Sequence, residues 1–459
     1  MKIYLKTFGC QMNEYDSEII KSILSENGFS FADNEMDADV ILLNTCAVRE
    51  NAQRKVFGLI HDIRHRRGGR PAIYGVLGCI ATYLKEGLLE NKNLNIDLIV
   101  GPDSYRRLPQ IINECLLSHQ SPVTSHQKKT HDITLNEFEM YSDITPLRDG
   151  GNPAASPQVD VSLSRNINAW IAVMRGCNNF CTFCVVPYTR GRERSRSPQD
   201  IVKEAKKAAE EGMKQVTLLG QNVNSYRFED AGFSDLLEAV SQVEGIERIR
   251  FISPHPKDFP LKLLETMAKN KKVCKHIHFP LQSGNNRILE LMNRTYTKER
   301  FLELVEKMKK MIPEIVITTD IIVGFPTETD DEFEDTVDVM KQVAFDSAFI
   351  FKYSERKGTM AAKKFKDDVP QEKKKDRIIK LNTLQKEISL KKNEAHIGQV
   401  HDVLIEQKGT SRSANAFQGR NDGNKIVILP EGSFCVGQII PVKITSATPH
   451  VLRGQPVEK

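Results

Sequence analysis

Residues 175–184 read Arg-Gly-Cys-Asn-Asn-Phe-Cys-Thr-Phe-Cys, which places Cys177, Cys181 and Cys184 in a C-x3-C-x2-C spacing. Three thiolates on one short loop can each bind one iron of a 4Fe-4S cube and leave the fourth iron without a protein ligand. A structural zinc site usually has four ligands, and no further Cys or His follows at a zinc-finger spacing. The stretch therefore indicates an iron–sulfur cluster with one open iron.

This loop follows the first strand of a long series of alternating strand and helix patterns. Strands are predicted at residues 170–174, 216–219, 249–252, 276–279, 315–323 and 348–351. Parallel strands need helical crossovers, so six such units predict a partial (βα)6 barrel. Because ligands of such barrels lie at the carboxyl ends of the strands, the cluster loop is expected at the mouth of the barrel.

Upstream, the first hundred residues also alternate between the two patterns, and a cysteine follows three of the predicted strands. These residues are Cys10, Cys46 and Cys79. The carboxyl ends of parallel strands share one edge of a sheet, so the three thiols can converge there despite their separation in sequence. A second three-thiolate cluster is one interpretation, and buried core cysteines are the alternative.

Downstream, two changes of pattern mark the remaining organisation. Residues 119–166 are polar and contain Gly and Pro, which is typical of a linker. Residues 352–392 contain 14 Lys and Arg against 6 Asp and Glu and include a predicted basic helix. Short period-2 runs at 400–405, 425–429 and 439–444 then predict a small antiparallel β-barrel.

The composition bounds the class of protein. The chain has 459 residues, 40% of them hydrophobic and 27% charged, as expected for about three globular domains. It contains nine cysteines and neither an apolar leader at its start nor a run long enough to cross a bilayer. We therefore expect a cytoplasmic protein whose cysteines bind metal or pack in cores.

Together the motifs resemble the radical S-adenosylmethionine (SAM) methylthiotransferases, specifically the MiaB type. The segments that carry the resemblance are residues 7–17, 44–46, 78–79, 175–184 and 186–191. The resemblance implies a methylthiotransferase domain with an auxiliary 4Fe-4S cluster (1–118), a linker (119–166), a radical SAM domain with a basic connecting helix (167–392) and a TRAM RNA-binding domain (393–459). The cofactors implied are two 4Fe-4S clusters and SAM.

The resemblance also implies a reaction. The Gly-Cys-Gln-Met-Asn form of the first motif, at residues 9–13, is similar to enzymes that act on isopentenylated adenosine beside the tRNA anticodon. These enzymes replace the hydrogen on carbon 2 of the adenine with a methylthio group and use two SAM. One SAM methylates sulfur at the auxiliary cluster, and the other gives the 5'-deoxyadenosyl radical that abstracts the hydrogen.

Three alternatives stay open at this point. Methylthiolation of threonylcarbamoyladenosine or of a ribosomal-protein aspartate uses the same chemistry, although those branches usually show Gly-Cys-Lys-Val-Asn and Gly-Cys-Pro-Lys-Asn. A non-catalytic iron–sulfur RNA-binding protein is the alternative from another class. The partners implied by our preferred interpretation are the tRNA anticodon stem-loop, an electron-donor protein and a sulfur source, and we expect a monomer.

Further site residues follow from barrel logic and from the resemblance. The predicted SAM contacts are Phe183, Gln221, Asn222, Ser283, Arg294 and Gly324. The predicted RNA contacts are Arg190, Arg192, Lys373, Lys374 and Lys375. The chain departs from the family pattern at Lys357, where Pro is usual, and in the more basic stretch at 192–194. These departures concern substrate contacts and no predicted iron ligand.

Overall fold

The computed structural model describes residues 1–47, 50–85, 87–120, 129–148, 167–410 and 413–457. Within them the chain forms three units: a parallel sheet covered by helices, a partial barrel of alternating strands and helices, and a closed β-barrel. The predicted α/β fold class is confirmed.

The first unit is a six-stranded sheet in the order β2-β1-β3-β4-β5-β6, and every neighbouring pair is parallel. Its strands are β1 (Lys2–Phe8), β2 (Ser30–Phe31), β3 (Val40–Thr45), β4 (Ile73–Leu77), β5 (Leu98–Val100) and β6 (Thr130–Asp132). Its helices are α1 (Gln11–Glu26), α2 (Glu50–Arg66), α3 (Cys79–Leu84), α4 (Gly87–Glu90) and α5 (Leu108–Gln120). Hydrophobic clusters pack on both faces, as expected for parallel strands with continuous apolar sequence.

Helix α3 is short because its C-cap residue Lys85 has a left-handed φ of 52°. One detail of this unit differs from the sequence prediction. Strand β6 falls within the predicted linker, whose residues 121–128 and 149–166 lie outside the described residues. Asp132 is held there by the Ser104 hydroxyl at 2.9 Å and by Arg107 at 2.8 Å, and these side-chain contacts have no counterpart in a periodicity pattern.

The second unit contains the six predicted strands. Its strands are β7 (Asn168–Ala172), β8 (Met174–Arg175), β9 (Arg194–Ser195), β10 (Gln215–Leu219), β11 (Arg227–Phe228), β12 (Ala231–Gly232), β13 (Arg248–Phe251), β14 (His276–His278), β15 (Val316–Val323) and β16 (Ser347–Lys352). Its helices are α6 (Val186–Arg190), α7 (Pro198–Glu210), α8 (Phe233–Ser241), α9 (Leu261–Lys269), α10 (Asn286–Leu291), α11 (Lys298–Met311), α12 (Asp330–Val343), α13 (Met360–Lys364) and α14 (Gln371–Glu394).

Six of these strands form the partial barrel. Strands β7, β10 and β13 pair in parallel, as do β14, β15 and β16, and a bridge between Ile249 and Val273 links the two groups. Alternate residues face outward into a hydrophobic core beneath the helices. The Ser197 hydroxyl accepts from the Asp200 amide at 3.1 Å and so caps the start of α7.

The third unit is a closed five-stranded barrel in the order β17-β18-β19-β21-β20. Its strands are β17 (Val400–Thr410), β18 (Ser413–Arg420), β19 (Ile426–Leu429), β20 (Ile439–Ala447) and β21 (Leu452–Pro456). Strands β18 and β21 were not predicted, and the β19–β21 pair is parallel in an otherwise antiparallel barrel. Among the described residues, no helix combines the length and apolar character needed to cross a membrane.

The closed barrel docks at the amino ends of the partial-barrel strands through two arginines of β13. Arg248 donates to the carbonyl oxygens of Arg420 and Asp402, both at 2.7 Å. Arg250 donates to the carbonyls of Asn421 at 2.8 Å and Asp422 at 2.9 Å. Both guanidiniums are buried, so these four hydrogen bonds give them their acceptors and fix the contact between the two barrels.

We expect an Arg250→Met variant to lose about 1–3 kcal/mol of unfolding free energy, because the substitution removes the hydrogen bonds that this buried guanidinium donates to Gln215 Oε1 and to the carbonyls of Asn421 and Asp422. Urea unfolding followed by circular dichroism measures the change. Arg300→Met removes an exposed pair with Glu303 and should stay within about 0.5 kcal/mol of the wild type. Equal losses in the two variants would contradict the docking role of Arg250.

Candidate functional site

The loop that carries Cys177, Cys181 and Cys184 begins directly after β8. Gly176 has a φ of 77°, and a Cβ there would collide with the carbonyl oxygen of Arg192. The Cys177 amide donates to the carbonyl of Gly191 at 3.2 Å, and the Cys184 amide donates to the carbonyl of Cys181 at 2.9 Å. The loop therefore folds back tightly on itself at the carboxyl end of the strand.

Burial and one buried cation set the electrostatics of this triad. Burial raises the pKa of Cys177 to about 11 and the pKa of Cys184 to about 12. The buried guanidinium of Arg294 donates through Nη1 to Cys181 Sγ at 3.4 Å. Metal binding displaces thiol protons, so a bound metal would hold thiolates whose charge Arg294 partly offsets.

The second triad lies at the carboxyl ends of three neighbouring strands. Cys10 follows β1, Cys46 follows β3 and Cys79 follows β4 after Gly78. In the parallel register Phe8 faces Thr45 and Asn44 faces Leu77, so the three loops leave the sheet side by side. A Cβ on Gly9, whose φ is 136°, would stand 2.7 Å from the Cβ of Cys46, so glycine allows this close approach.

The thiols of the second triad interact with each other and with one arginine. The pKa of Cys10 is lowered to about 6, chiefly by the hydrogen bond with Cys46 and further by the charge of Arg190, against the opposing effect of burial. Burial raises the pKa of Cys79 even though Arg190 Nε donates to its sulfur at 3.1 Å. This edge of the sheet therefore favours at least one thiolate.

Both triads have a donor set and an environment that fit a 4Fe-4S cluster. Each offers three thiols beside a buried guanidinium. Across the described ranges, no three Cys, His, Asp or Glu side chains surround a single metal-ion position; a four-iron cluster is larger and binds each thiolate to a different iron.

Unpartnered polar atoms mark a second feature at the carboxyl ends of the barrel strands. Gln221 Oε1, Asn222 Oδ1 and Gln282 Oε1 are buried oxygens without a hydrogen-bond partner, and such groups usually bind a ligand or water.

The predicted SAM residues lie along the carboxyl edge of the partial barrel. Gln221 and Asn222 follow β10, Ser283 follows β14 and Gly324 follows β15. Phe183 packs against a small apolar cluster behind the cysteine loop. The cluster contains Ile288, Met292, Phe325, Tyr353 and Ala361. Arg294 donates to Tyr296 and to the carbonyl of Pro280 besides Cys181.

Two further residues lie at the same edge. Gln282 belongs to the stretch 282–285, for which the sequence predicts a ribose or carboxylate contact; it has a left-handed φ of 68° and a buried Oε1 without a hydrogen-bond partner. His255 follows β13, packs edge-on against Tyr296 at 5.8 Å and has a buried Nε2 without a partner. Burial and the nearby Arg294 lower the pKa of His255 to about 2, so its ring is neutral at pH 7. His255 was missed by the sequence analysis, although its position after a predicted strand could have identified it.

The predicted RNA contacts divide into exposed and buried groups. Arg192, Lys373 and Lys375 are exposed, and Arg192 stacks over the Phe180 ring at 4.4 Å. Arg190 is buried against Asp16 and Cys79, and Lys374 is fully buried in an ion pair with Asp367. A buried side chain cannot reach a phosphate, so we withdraw Arg190 and Lys374 from the predicted RNA contacts.

Comparison with known protein families divides the chain in the same order as its three units. Residues 2–101 match the model described as uncharacterized protein family UPF0004. Residues 171–340 match the Radical SAM superfamily, and residues 394–457 match the TRAM domain.

Curated relatives match along the whole chain. A tRNA-2-methylthio-N(6)-dimethylallyladenosine synthase from Parabacteroides distasonis is 42% identical over 100% of this chain and 96% of its own length. Proteins of the same name from Azobacteroides pseudotrichonymphae and Porphyromonas gingivalis are 43% and 41% identical over 99% and 100% of this chain and over 97% and 95% of their own lengths.

Solved structures share the fold at low sequence identity. The radical S-adenosylmethionine methyltransferase TsrM from Kitasatospora setae superposes with a TM-score of 0.58 at 15% identity, covering 79% of this chain and 74% of that one. The cobalamin-dependent radical enzyme OxsB gives a TM-score of 0.52 at 13% identity, over 83% of this chain and 56% of that one.

The superfamily match over the partial barrel, together with the full-length relatives, defines the class: the protein is a radical SAM enzyme. The full-length relatives then place it more narrowly. The chain belongs to the family of tRNA-2-methylthio-N(6)-dimethylallyladenosine synthases.

We expect Gly176→Ala to lower both the unfolding free energy and the iron content of the protein. A side chain there meets the Arg192 carbonyl, and a left-handed φ costs an L-residue about 1–2 kcal/mol. Urea unfolding of metal-free protein and iron content after anaerobic reconstitution measure both effects. Gly58→Ala, in the exposed interior of α2 with open space around it, should gain up to about 1 kcal/mol. A Gly176→Ala protein with wild-type stability and iron content would disprove the constraint.

Proposed function

We propose that this enzyme is a tRNA methylthiotransferase that replaces the hydrogen on carbon 2 of isopentenylated adenosine, next to the anticodon, with a methylthio group and consumes two SAM. The observation that carries the proposal is the pairing of two cysteine triads across one domain interface, where Arg190 contacts both Cys79 and Asp16. The names of the full-length relatives support this substrate. The hydrogen on carbon 2 of the adenine is too inert to be removed by acid–base chemistry, so the reaction needs a radical.

In this proposal each triad holds one 4Fe-4S cluster. Cys177, Cys181 and Cys184 bind the radical SAM cluster, and Cys10, Cys46 and Cys79 bind the auxiliary cluster. When bound, the radical SAM cluster would supply the electron that cleaves SAM, and the auxiliary cluster would supply an open iron that carries the sulfur to be transferred. The protein residues bind, orient and shield these groups.

SAM would bind along the carboxyl edge of the partial barrel, above the Cys177 loop. The unpartnered oxygens of Gln221 and Asn222 suit the amino group of SAM as acceptors, and Ser283 and Gly324 border the ribose and adenine. Arg294 lies within 3.4 Å of Cys181 Sγ, where its charge would also neutralise the SAM carboxylate. Phe183 would pack on the adenine from inside the loop.

The substrate adenine would enter the opening of the partial barrel beside β16. Phe349 and Phe351 project from one face of this strand and are 54% and 42% exposed, which is unusual for large apolar side chains. His278 lies 6.0 Å from the Phe349 ring and contacts Asp320 at 3.1 Å. Aromatic faces with polar groups beside them suit a base that is splayed out of an RNA loop.

The proposed division into domains extends the tRNA contacts beyond the barrel opening, because it ends in an RNA-binding TRAM domain. We assign residues 1–118 to the methylthiotransferase domain, 167–392 to the radical SAM domain and 393–459 to the TRAM domain. The part of 119–166 that forms β6 packs with the first of these. The proposal has a monomer acting in the cytoplasm with an electron-donor protein and a sulfur source.

The proposal is tested by anaerobic reconstitution with iron and sulfide, followed by reaction with SAM, a reductant and tRNA that carries the isopentenyl group. Mass spectrometry of the nucleosides should show the methylthio product. Unmodified tRNA, threonylcarbamoyl tRNA and ribosomal protein serve as competing substrates, and product from one of them alone would replace the assigned substrate. Binding of tRNA without 5'-deoxyadenosine formation would indicate a non-catalytic RNA-binding protein.

Replacing Cys177, Cys181 and Cys184 together with Ala should reduce the reconstituted iron from roughly eight to roughly four atoms per chain and abolish 5'-deoxyadenosine formation. The matched control replaces Cys274, a buried cysteine outside both triads, and should keep the full iron content. Continued SAM cleavage by the triple variant would contradict the assignment of this triad.

We expect Lys373→Gln combined with Lys375→Gln to weaken tRNA binding, because both side chains are exposed on α14 and carry charge that can contact phosphates. The slope of log K against log salt should flatten by about 0.7 to 0.9 per lost contact. Dissociation constants at several ionic strengths measure the slope. Lys262→Gln with Lys307→Gln, two exposed lysines that are also ion-paired, is the control, and coincident salt plots for all three proteins would exclude these contacts.

A further inference from the structure

A buried ion network joins the two triads. Asp16 on α1 is fully buried and accepts from Arg175 Nη2 through Oδ1 and from Arg190 Nη2 through Oδ2, both at 2.7 Å. Burial by itself would raise the pKa of Asp16, but the two guanidiniums outweigh it and lower the pKa. Asp16 is therefore a carboxylate shared by two arginines.

The positions of these residues in sequence show which segments the network connects. Arg175 precedes Cys177 by two residues, and Arg190 ends α6, the helix that follows Cys184. Asp16 lies on α1, whose N-cap residue is Cys10. One carboxylate thus ties both ends of the Cys177 loop to the helix that begins at the other triad.

Arg190 also makes a direct contact with the second triad. Its Nε donates to Cys79 Sγ at 3.1 Å, and its Nη1 is buried without a hydrogen-bond partner. The side chain is only 3% exposed, so water does not satisfy that nitrogen readily. A buried donor of this kind, next to three thiols, is what an anionic group bound there would satisfy.

The charge balance points the same way. Asp16 neutralises one of the two guanidiniums that it binds, and the neighbouring Arg194–Asp103 pair is balanced by itself. The remaining positive charge therefore faces the thiols of the second triad. Buried charges need a partner, and thiolates of this triad, Cys79 among them in a metal-bound state, would supply it.

We propose that Arg190 is a positioning residue that couples the two clusters: it donates to the Cys79 ligand of the auxiliary cluster while Asp16 locks it to Arg175 and the Cys177 loop. This role rests on the proposed assignment of the cluster ligands. Hydrogen bonds and positive charge at a ligand sulfur favour the more negative, reduced cluster, so Arg190 raises the reduction potential of the auxiliary cluster.

The test isolates the auxiliary cluster in the full chain. The parent protein has Cys177, Cys181 and Cys184 replaced by Ala, and Arg190→Gln and Arg190→Lys are added to it. Iron content and an EPR-monitored redox titration are measured for each. Arg190→Gln should shift the midpoint potential downward and reduce iron retention, and Arg190→Lys should shift it less, since an ammonium keeps the charge but cannot contact both Cys79 and Asp16.

Arg107→Gln is the matched control, because it also removes an arginine from a carboxylate of the first unit but lies on the surface. Its midpoint potential should equal that of the parent. If Arg190→Gln holds about four irons at the parent's midpoint potential, the inference is overturned; if it does not fold, an unchanged midpoint in Arg190→Lys overturns it equally. A parent that binds no iron instead refutes the ligand assignment itself, so the two failures are distinct.

Discussion

Parallel strands bring all their carboxyl ends to one edge of a sheet, and both cysteine triads depend on this constraint. Cys10, Cys46 and Cys79 are far apart in sequence but follow three adjacent strands of the first sheet. The Cys177 loop follows the first strand of the partial barrel, where the orphaned oxygens of Gln221 and Asn222 also lie. The two cysteine triads thus lie at two sheet edges, which are connected by the contact of Arg190 with Cys79.

Buried ion pairs hold these two edges together. Arg175 and Arg190 of the second unit converge on Asp16 of α1, and Arg148 bridges Glu18 of α1 and Glu204 of α7 at 3.6 and 2.7 Å. Such pairs add little net stability compared with apolar contacts, but removing or displacing one partner strands a buried charge. We infer that this interface fixes a single arrangement of the two units, and with it the relative positions of the two cysteine triads.

Much of this arrangement follows from the sequence, for reasons that are physical. The six barrel strands and the first sheet have strong apolar periodicity, and the cysteines stand at their ends. Arg190 and Lys374 were misplaced because a local run of positive charge is typical of a solvated surface. Their carboxylate partners, Asp16 and Asp367, are brought close only by tertiary structure. Strand β6 was missed since its hydrogen bonds come from a neighbour that no local pattern reveals.

Helix α14 connects the two ends of the partial barrel, so one RNA bound as proposed could contact both of them. The closed barrel sits at the amino ends of the strands, whereas the triads lie at the carboxyl ends. At its start α14 packs Lys374 against Gly324 near the site, and at its end Asn393 donates to the carbonyl of Thr448 in the closed barrel at 2.8 Å. With 24 residues it spans about 36 Å. The helix exposes five lysines along its length, Lys373, Lys375, Lys380, Lys386 and Lys391, and the first three are paired with carboxylates. The buried cations Lys374 and Arg377 hold the helix to the partial barrel through Asp367 and Glu328, so the tRNA proposed above would meet these lysines on a rigid support.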